Sequence, residues 1–153
     1  DAVVAYYTWA NEDFIVGADI VESNLHLVIH NLKNQTSDDL KIPVGRSFHN
    51  IPETNLISFI DKSTDQWVVK SINPDTKKIK SITELPEGVE DINWLPDGTL
   101  LAAQGNTLLT KTKKTAWEVY QTFEDEELQD ISRFAISPNG TQIAIVAARK
   151  DKK

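Results

Sequence analysis

The chain contains no cysteine and no methionine in 153 residues, only six glycines and six prolines, and no apolar run near the roughly 18 residues that a membrane-spanning helix needs. Without cysteine, disulfide staples, zinc–thiolate sites, thiol nucleophiles and redox pairs are excluded together. Positive charge is also scarce. Sixteen Lys and Arg stand against 23 Asp and Glu, a formal net charge of −7, whereas binding along a phosphate backbone requires a basic footprint. Nucleic acid is therefore not an expected partner, and no membrane span is expected either. The sequence has no Gly-x-Ser-x-Gly elbow, no phosphate loop and no His-Glu-x-x-His pair, and no Ser, His and Asp stand where sequence alone nominates a triad. Neither a cofactor nor a metal is expected. Residues 1–10 carry no basic segment of the kind that opens an export signal, yet the chain starts inside the apolar run Ala2-Val3-Val4-Ala5-Tyr6-Tyr7. That start predicts a fragment or a processed product, with any export signal upstream.

What is present is an ordinary globular composition, 40% hydrophobic and 25% charged, with a repeated pattern in it. Asp91-Ile92-Asn93-Trp94-Leu95-Pro96-Asp97-Gly98-Thr99-Leu100 matches Arg133-Phe134-Ala135-Ile136-Ser137-Pro138-Asn139-Gly140-Thr141-Gln142, with the prolines 42 positions apart. A weaker copy surrounds Pro52, 44 positions before Pro96, and a fourth, without its proline, runs from Tyr6 to Val16. Each copy opens on a β-branched or aromatic run, turns, and continues into a second apolar run, which is a hairpin. Proline presets φ at the turn, and glycine supplies the position that needs a positive φ. A third run follows in Leu25–Ile29, Trp67–Ile72 and Thr107–Thr110, then a more polar fourth in Leu40–Ile42, Ile79–Ile82 and Glu118–Gln121. Four short antiparallel strands every 40 or so residues specify a β-propeller blade. Only Glu124–Gln129 looks briefly helical, and its charge makes it an acidic loop.

The Ser137-Pro138-Asn139-Gly140 tetrad followed by Gln142-Ile143-Ala144-Ile145 resembles the repeat of TolB-type propellers, and Leu95-Pro96-Asp97-Gly98 resembles it less closely. The expected fold is all-β: a propeller of four-stranded antiparallel blades, with three whole blades and half of a fourth. Their bounds are about 1–45, 46–88 and 89–124, with a half-blade at 125–148 and a charged tail at 149–153. An open blade leaves unpaired N–H and C=O groups, so missing blades from the parent chain or another chain are expected to complete a six- to eight-bladed ring. The resemblance implies an exported, periplasmic, non-enzymatic protein that binds another protein.

Aligning the innermost strands sorts their residues by period-two alternation. Tyr7, Phe48, Ile92 and Phe134 form one bulky row, expected between blades. The opposite row, expected to line a central channel, is polar: Tyr6, Thr8, Ser47, His49, Asp91, Asn93 and Arg133, with Ala135. Tyr6, His49, Asp91, Asn93 and Arg133 are the candidate binding residues there, and Asp91 and Arg133 are expected at one level on neighbouring blades. Loops at one end collect Asp19, Glu22, Asp61, Asp65, Glu84, Glu87, Glu90, Asp91, Glu124, Asp125, Glu126, Glu127 and Asp130 against Arg46 and Lys62, an acidic face suited to a basic partner surface. A competing function is a metal-dependent hydrolase or lyase like the lactonase propellers, with Asp91, Asn93 and His49 as ligands. His26 and His30 do not make a metal clamp: on a strand, four residues separate their Cα atoms by roughly 13 Å. The sequons Asn34-Gln35-Thr36 and Asn139-Gly140-Thr141 are chance matches, the second accounted for as a turn.

Overall fold

The computed structural model describes residues 3–123 and 128–148. Among them every regular element is a strand: β1 Val4–Trp9, β2 Phe14–Val21, β3 Asn24–Asn31, β4 Thr36–Asn50, β5 Ile57–Asp61, β6 Val68–Ile72, β7 Ile79–Glu84, β8 Asp91–Trp94, β9 Leu100–Gln104, β10 Thr107–Lys111, β11 Glu118–Thr122, β12 Gln129–Ile136 and β13 Ile143–Ala148. All pairing is antiparallel, so the all-β expectation holds. The chain forms two compact units, Asp1–Leu85 and Pro86–Lys153.

Local chemistry accounts for the hairpins. In Leu95-Pro96-Asp97-Gly98 the Gly98 N–H reaches the Leu95 carbonyl at 2.9 Å, with Gly98 at φ +82°, and the Asp97 carboxylate accepts the Thr99 N–H at 2.9 Å. Ser137-Pro138-Asn139-Gly140 repeats this: Gly140 N–H to Ser137 carbonyl at 2.8 Å, Gly140 at φ +70°, and Asn139 Oδ1 accepting the Thr141 N–H at 3.2 Å. The Thr99 N–H first, and then its hydroxyl, holds the Asp97 carboxyl below the usual carboxylate range. The turn after Ile51 closes from Thr54 N–H to Ile51 carbonyl at 3.2 Å, but places Glu53 at φ +59°, where a glycine would be unstrained. In the first copy Asn11 replaces proline chemistry, its Oδ1 accepting the N–H groups of Asp13 and Phe14 at 2.9 and 3.0 Å.

In the first unit the strands follow in chain order as one seven-stranded sheet. The 15-residue β4 makes this continuous, because residues 36–43 pair with β3 and residues 44–50 with β5. The change of partner falls at Pro43, which has no N–H to give to a ladder, and is followed by the buried Gly45. The sheet thus behaves as two four-stranded meanders sharing a strand. Val16, Ala18, Leu27 and Ile29 of the first pack with Phe48, Ile57, Phe59 and Ile72 of the second in one buried cluster. Each of these side chains except that of Ala18 contributes roughly 1.5–3 kcal/mol relative to exposure.

Three members of the row expected to be buried are so: Phe48, Ile92 and Phe134 are 6%, 0% and 5% exposed. The fourth is a correction. Tyr7 pairs with Gly17 as Phe48 pairs with Phe59, so the copies are in step, but it is 58% exposed because its face of the first meander is turned away from the cluster shared with the second. Tyr6, expected on the polar row, is paired with Ala18 and packs against that cluster.

In the second unit β11-β10-β9-β8 form a four-stranded sheet and β12-β13 a two-stranded one. Leu101, Ala103 and Leu108 of the larger sheet pack with Ile131 and Phe134 of the smaller, flanked by Ile143, Ile145 and Ala147.

Candidate functional site

The candidate residues of the second unit gather around Asp91. This carboxylate, on the first residue of β8, is 7% exposed and accepts the Phe134 N–H at 2.8 Å. It thereby fastens β8 to β12 beside the exposed Arg133, across 43 residues of sequence. Asn93 is half-buried and turns its Oδ1 back onto the Trp94 N–H at 2.8 Å. In the first unit His49 is half-buried, and its carbonyl accepts the Ser58 hydroxyl at 3.1 Å. Near it in sequence, Asn50 Nδ2 donates to the Trp9 carbonyl at 3.0 Å and to the Thr8 hydroxyl at 3.4 Å, tying β4 to β1. Among the described residues no three His, Asp or Glu side chains are grouped to hold a metal ion, and nothing favours the hydrolase expectation at Asp91, Asn93 and His49.

The acidic residues fall into two kinds. Glu84, Glu87 and Glu90 are exposed within a seven-residue stretch. Glu124, Asp125, Glu126 and Glu127 lie outside the described residues. Asp19, Asp61 and Asp91, expected with them on an open acidic face, are instead 5%, 6% and 7% exposed and engaged by the fold. Asp61 receives Lys70 Nζ at 2.6 Å and the Ser63 N–H at 2.8 Å. Burial pushes its carboxyl up, but the bonds from Lys70 and Ser63 outweigh burial and hold it below the usual range. Beside it in sequence, the Lys62 ammonium lies 3.6 Å from the centre of the Trp67 ring.

The two histidines of β3 each go to a separate carboxylate. His26 Nδ1 lies 3.2 Å from Asp39 Oδ2, and His30 Nε2 lies 3.0 Å from Asp19 Oδ1, while His30 Nδ1 meets the Ser37 hydroxyl at 2.8 Å. The Lys41 N–H first, and then His26, lowers the Asp39 carboxyl against the opposing effect of burial. Sequence reasoning missed the Asp19, His30 and Ser37 chain. The available signal was the register: once the second, third and fourth runs of the first copy are paired as a meander, His30 falls opposite Ser37.

No family model matches the chain, and no curated protein is similar to it in sequence. Solved structures do match. TolB from Acinetobacter baumannii superposes with a TM-score of 0.68 at 14% identity, over 99% of this chain and 39% of that one. The fold is TolB-like. The extracellular domain of the one component system protein BT4673 from B. thetaiotaomicron follows at a TM-score of 0.53 and 10% identity, over 96% of this chain and 26% of its own. The TolB-like chain thus spans about two fifths and one quarter of these two neighbours. Among the described residues no helix is long and apolar enough to cross a membrane.

Proposed function

We propose that the chain is part of a TolB-like β-propeller and serves as a non-enzymatic module that binds another protein. The observation that carries this reading is the superposition on TolB along 99% of the chain. The strand order supports it, since two meanders sharing β4 and the sheet β8–β11 supply three four-stranded blades, and β12–β13 half of a fourth. Further blades, from the parent chain or another chain, complete the ring. The second neighbour is an extracellular domain, which favours export. The docking surface is the exposed acidic stretch Glu84, Glu87 and Glu90, and the partner presents a basic surface.

The test is affinity capture with the immobilised chain, in parallel with the Glu84→Gln/Glu87→Gln/Glu90→Gln variant, at low and at high salt. A protein held by the first, and lost both by the variant and at high salt, is the expected result. Retention that ignores both changes contradicts the acidic docking surface.

A further inference from the structure

Within each meander the middle strands pair residue opposite residue without a break: β2 with β3, β5 with β6 and β9 with β10. The fourth strand never does. On β11 Gln121 stands opposite Leu108 and Val119 opposite Leu109, so Tyr120 is an extra residue with no counterpart. Ile82 is its equivalent on β7, lying between Thr83 opposite Val69 and Ser81 opposite Lys70. On β4 the excess is larger, since Leu40, Lys41 and Ile42 all face Leu27, with Lys41 at φ +56°. In each case the surplus is on the outermost strand and not on its neighbour.

These strands share a position. β7, β11 and residues 36–43 of β4 are paired on one side only, and their other edge carries N–H and C=O groups that a strand of another chain can take up. In the ring proposed above they lie on the circumference, which further blades leave uncovered. Pairing there needs outward groups in regular alternation, and a bulge breaks the alternation, bends the strand and raises its twist. What remains is Glu118–Val119 and Gln121–Thr122 on β11, and Ile79–Ser81 and Thr83–Glu84 on β7, against the about five or six residues of an ordinary strand.

Side chains guard two of these edges as well. β4 has Asp38, Asp39 and Pro43, and β7 has Lys80, residues that oppose pairing by charge or by a missing N–H. β11 has neither lysine nor proline, and its one charge, Glu118, stands at its first position. Val119 and Tyr120 are 66% and 47% exposed, and Val, Tyr and Thr all favour strands. By composition β11 invites another strand; its geometry is what opposes one.

We propose that the extra residue on each outermost strand, and Tyr120 above all, keeps the rim of the blades from pairing edge to edge with a second copy of the chain. Without Tyr120 the run Glu118-Val119-Gln121-Thr122 is complementary to itself in antiparallel pairing. Val119 then stands opposite Gln121 and Glu118 opposite Thr122, with no like charges opposed.

The test is a variant lacking Tyr120, which keeps Gln121 opposite Leu108 and Val119 opposite Leu109 and turns no other residue over. Hydrogen exchange of the β11 amides that do not bond β10 is followed from micromolar to millimolar protein. The unaltered chain runs beside it, as does Tyr120→Ser, which loses the ring but keeps the bulge. The expected result is protection that grows with concentration in the shortened variant alone, together with larger species in sedimentation. Amides of β9 and β10 report that the sheet is intact; if β11 detaches, a chain lacking Ile82 gives the same reading on β7. Protection that grows equally in the unaltered chain or in Tyr120→Ser, or that is missing from a shortened variant whose sheet is intact, overturns the proposal.

Discussion

A buried carboxylate and a turn residue show how single side chains set the energetics here. Asp61 is nearly enclosed, and its carboxyl is nonetheless held below its ordinary value near 3.8, because Lys70 and Ser63 outweigh burial. A group depressed in the folded state contributes stability above its unfolded value and loses it as pH falls through the folded value. The Asp61 contribution should therefore be intact at neutral pH and disappear below about pH 4. Lys70→Met should cost about 2 kcal/mol at pH 7, since the carboxylate stays buried with fewer partners, and the penalty should shrink in acid as Asp61 protonates. Urea midpoints at the two pH values measure both. Glu53 presents the opposite case, a side chain in the left-handed region at φ +59°. Glu53→Gly removes that strain and should raise stability by roughly 0.5–1 kcal/mol, after the greater unfolded freedom of glycine is deducted, as a higher melting temperature will show.

At the scale of elements, pairing was legible and facing was not always so. The Pro-Asp-Gly and Pro-Asn-Gly turns announce β8–β9 and β12–β13, because the turn geometry demands those residue types, and Phe48, Ile92 and Phe134 take their inner positions from the same alignment. In the first copy the alignment is equally in step, with Tyr7 opposite Gly17 as Phe48 is opposite Phe59, but residue type does not tell that the face of Tyr7 is turned away from the shared cluster while that of Tyr6 packs on it. Asp19, Asp61 and Asp91 read as surface charge in the sequence for a related reason. A carboxylate looks the same in sequence whether water or Lys70 faces it, and the partner lies on another strand. Two substitutions test how these strands are held. A Cβ on Gly17 would run into the Tyr6 carbonyl oxygen and Tyr7, so Gly17→Ala must push β1 off β2. It should cost about 2 kcal/mol and speed amide exchange along β1. Asp91→Ala leaves the buried Phe134 N–H without its acceptor and should destabilise the second unit by about 1–3 kcal/mol, whereas Asp91→Asn, which keeps an acceptor oxygen, should recover much of that in a denaturant titration.

For the molecule as a whole, charge is the property that the sequence states most plainly and that the fold then redistributes. Of the 23 Asp and Glu, Asp19, Asp61 and Asp91 are spent on holding strands, while Glu84, Glu87 and Glu90 remain exposed on one short stretch. Exposed like charges so close in sequence repel one another, and they add nothing to the core. Their measurable effect belongs to encounter with a partner, where attraction over a distance raises the association rate more than it lengthens the life of the complex. The Debye length falls from about 10 Å at 0.1 M salt to about 3 Å at 1 M, so that attraction is removed across an accessible range. If this stretch docks a basic protein, association should slow as salt rises while dissociation changes little. Glu84→Gln, Glu87→Gln and Glu90→Gln together should reproduce the slow rate at low salt and flatten the salt dependence. Folding should be nearly untouched, because exposed substitutions usually move stability by no more than about 0.5 kcal/mol. Surface-plasmon or stopped-flow rates for the captured partner decide the matter: an association rate equal in the variant and indifferent to salt would assign these glutamates to solvation alone.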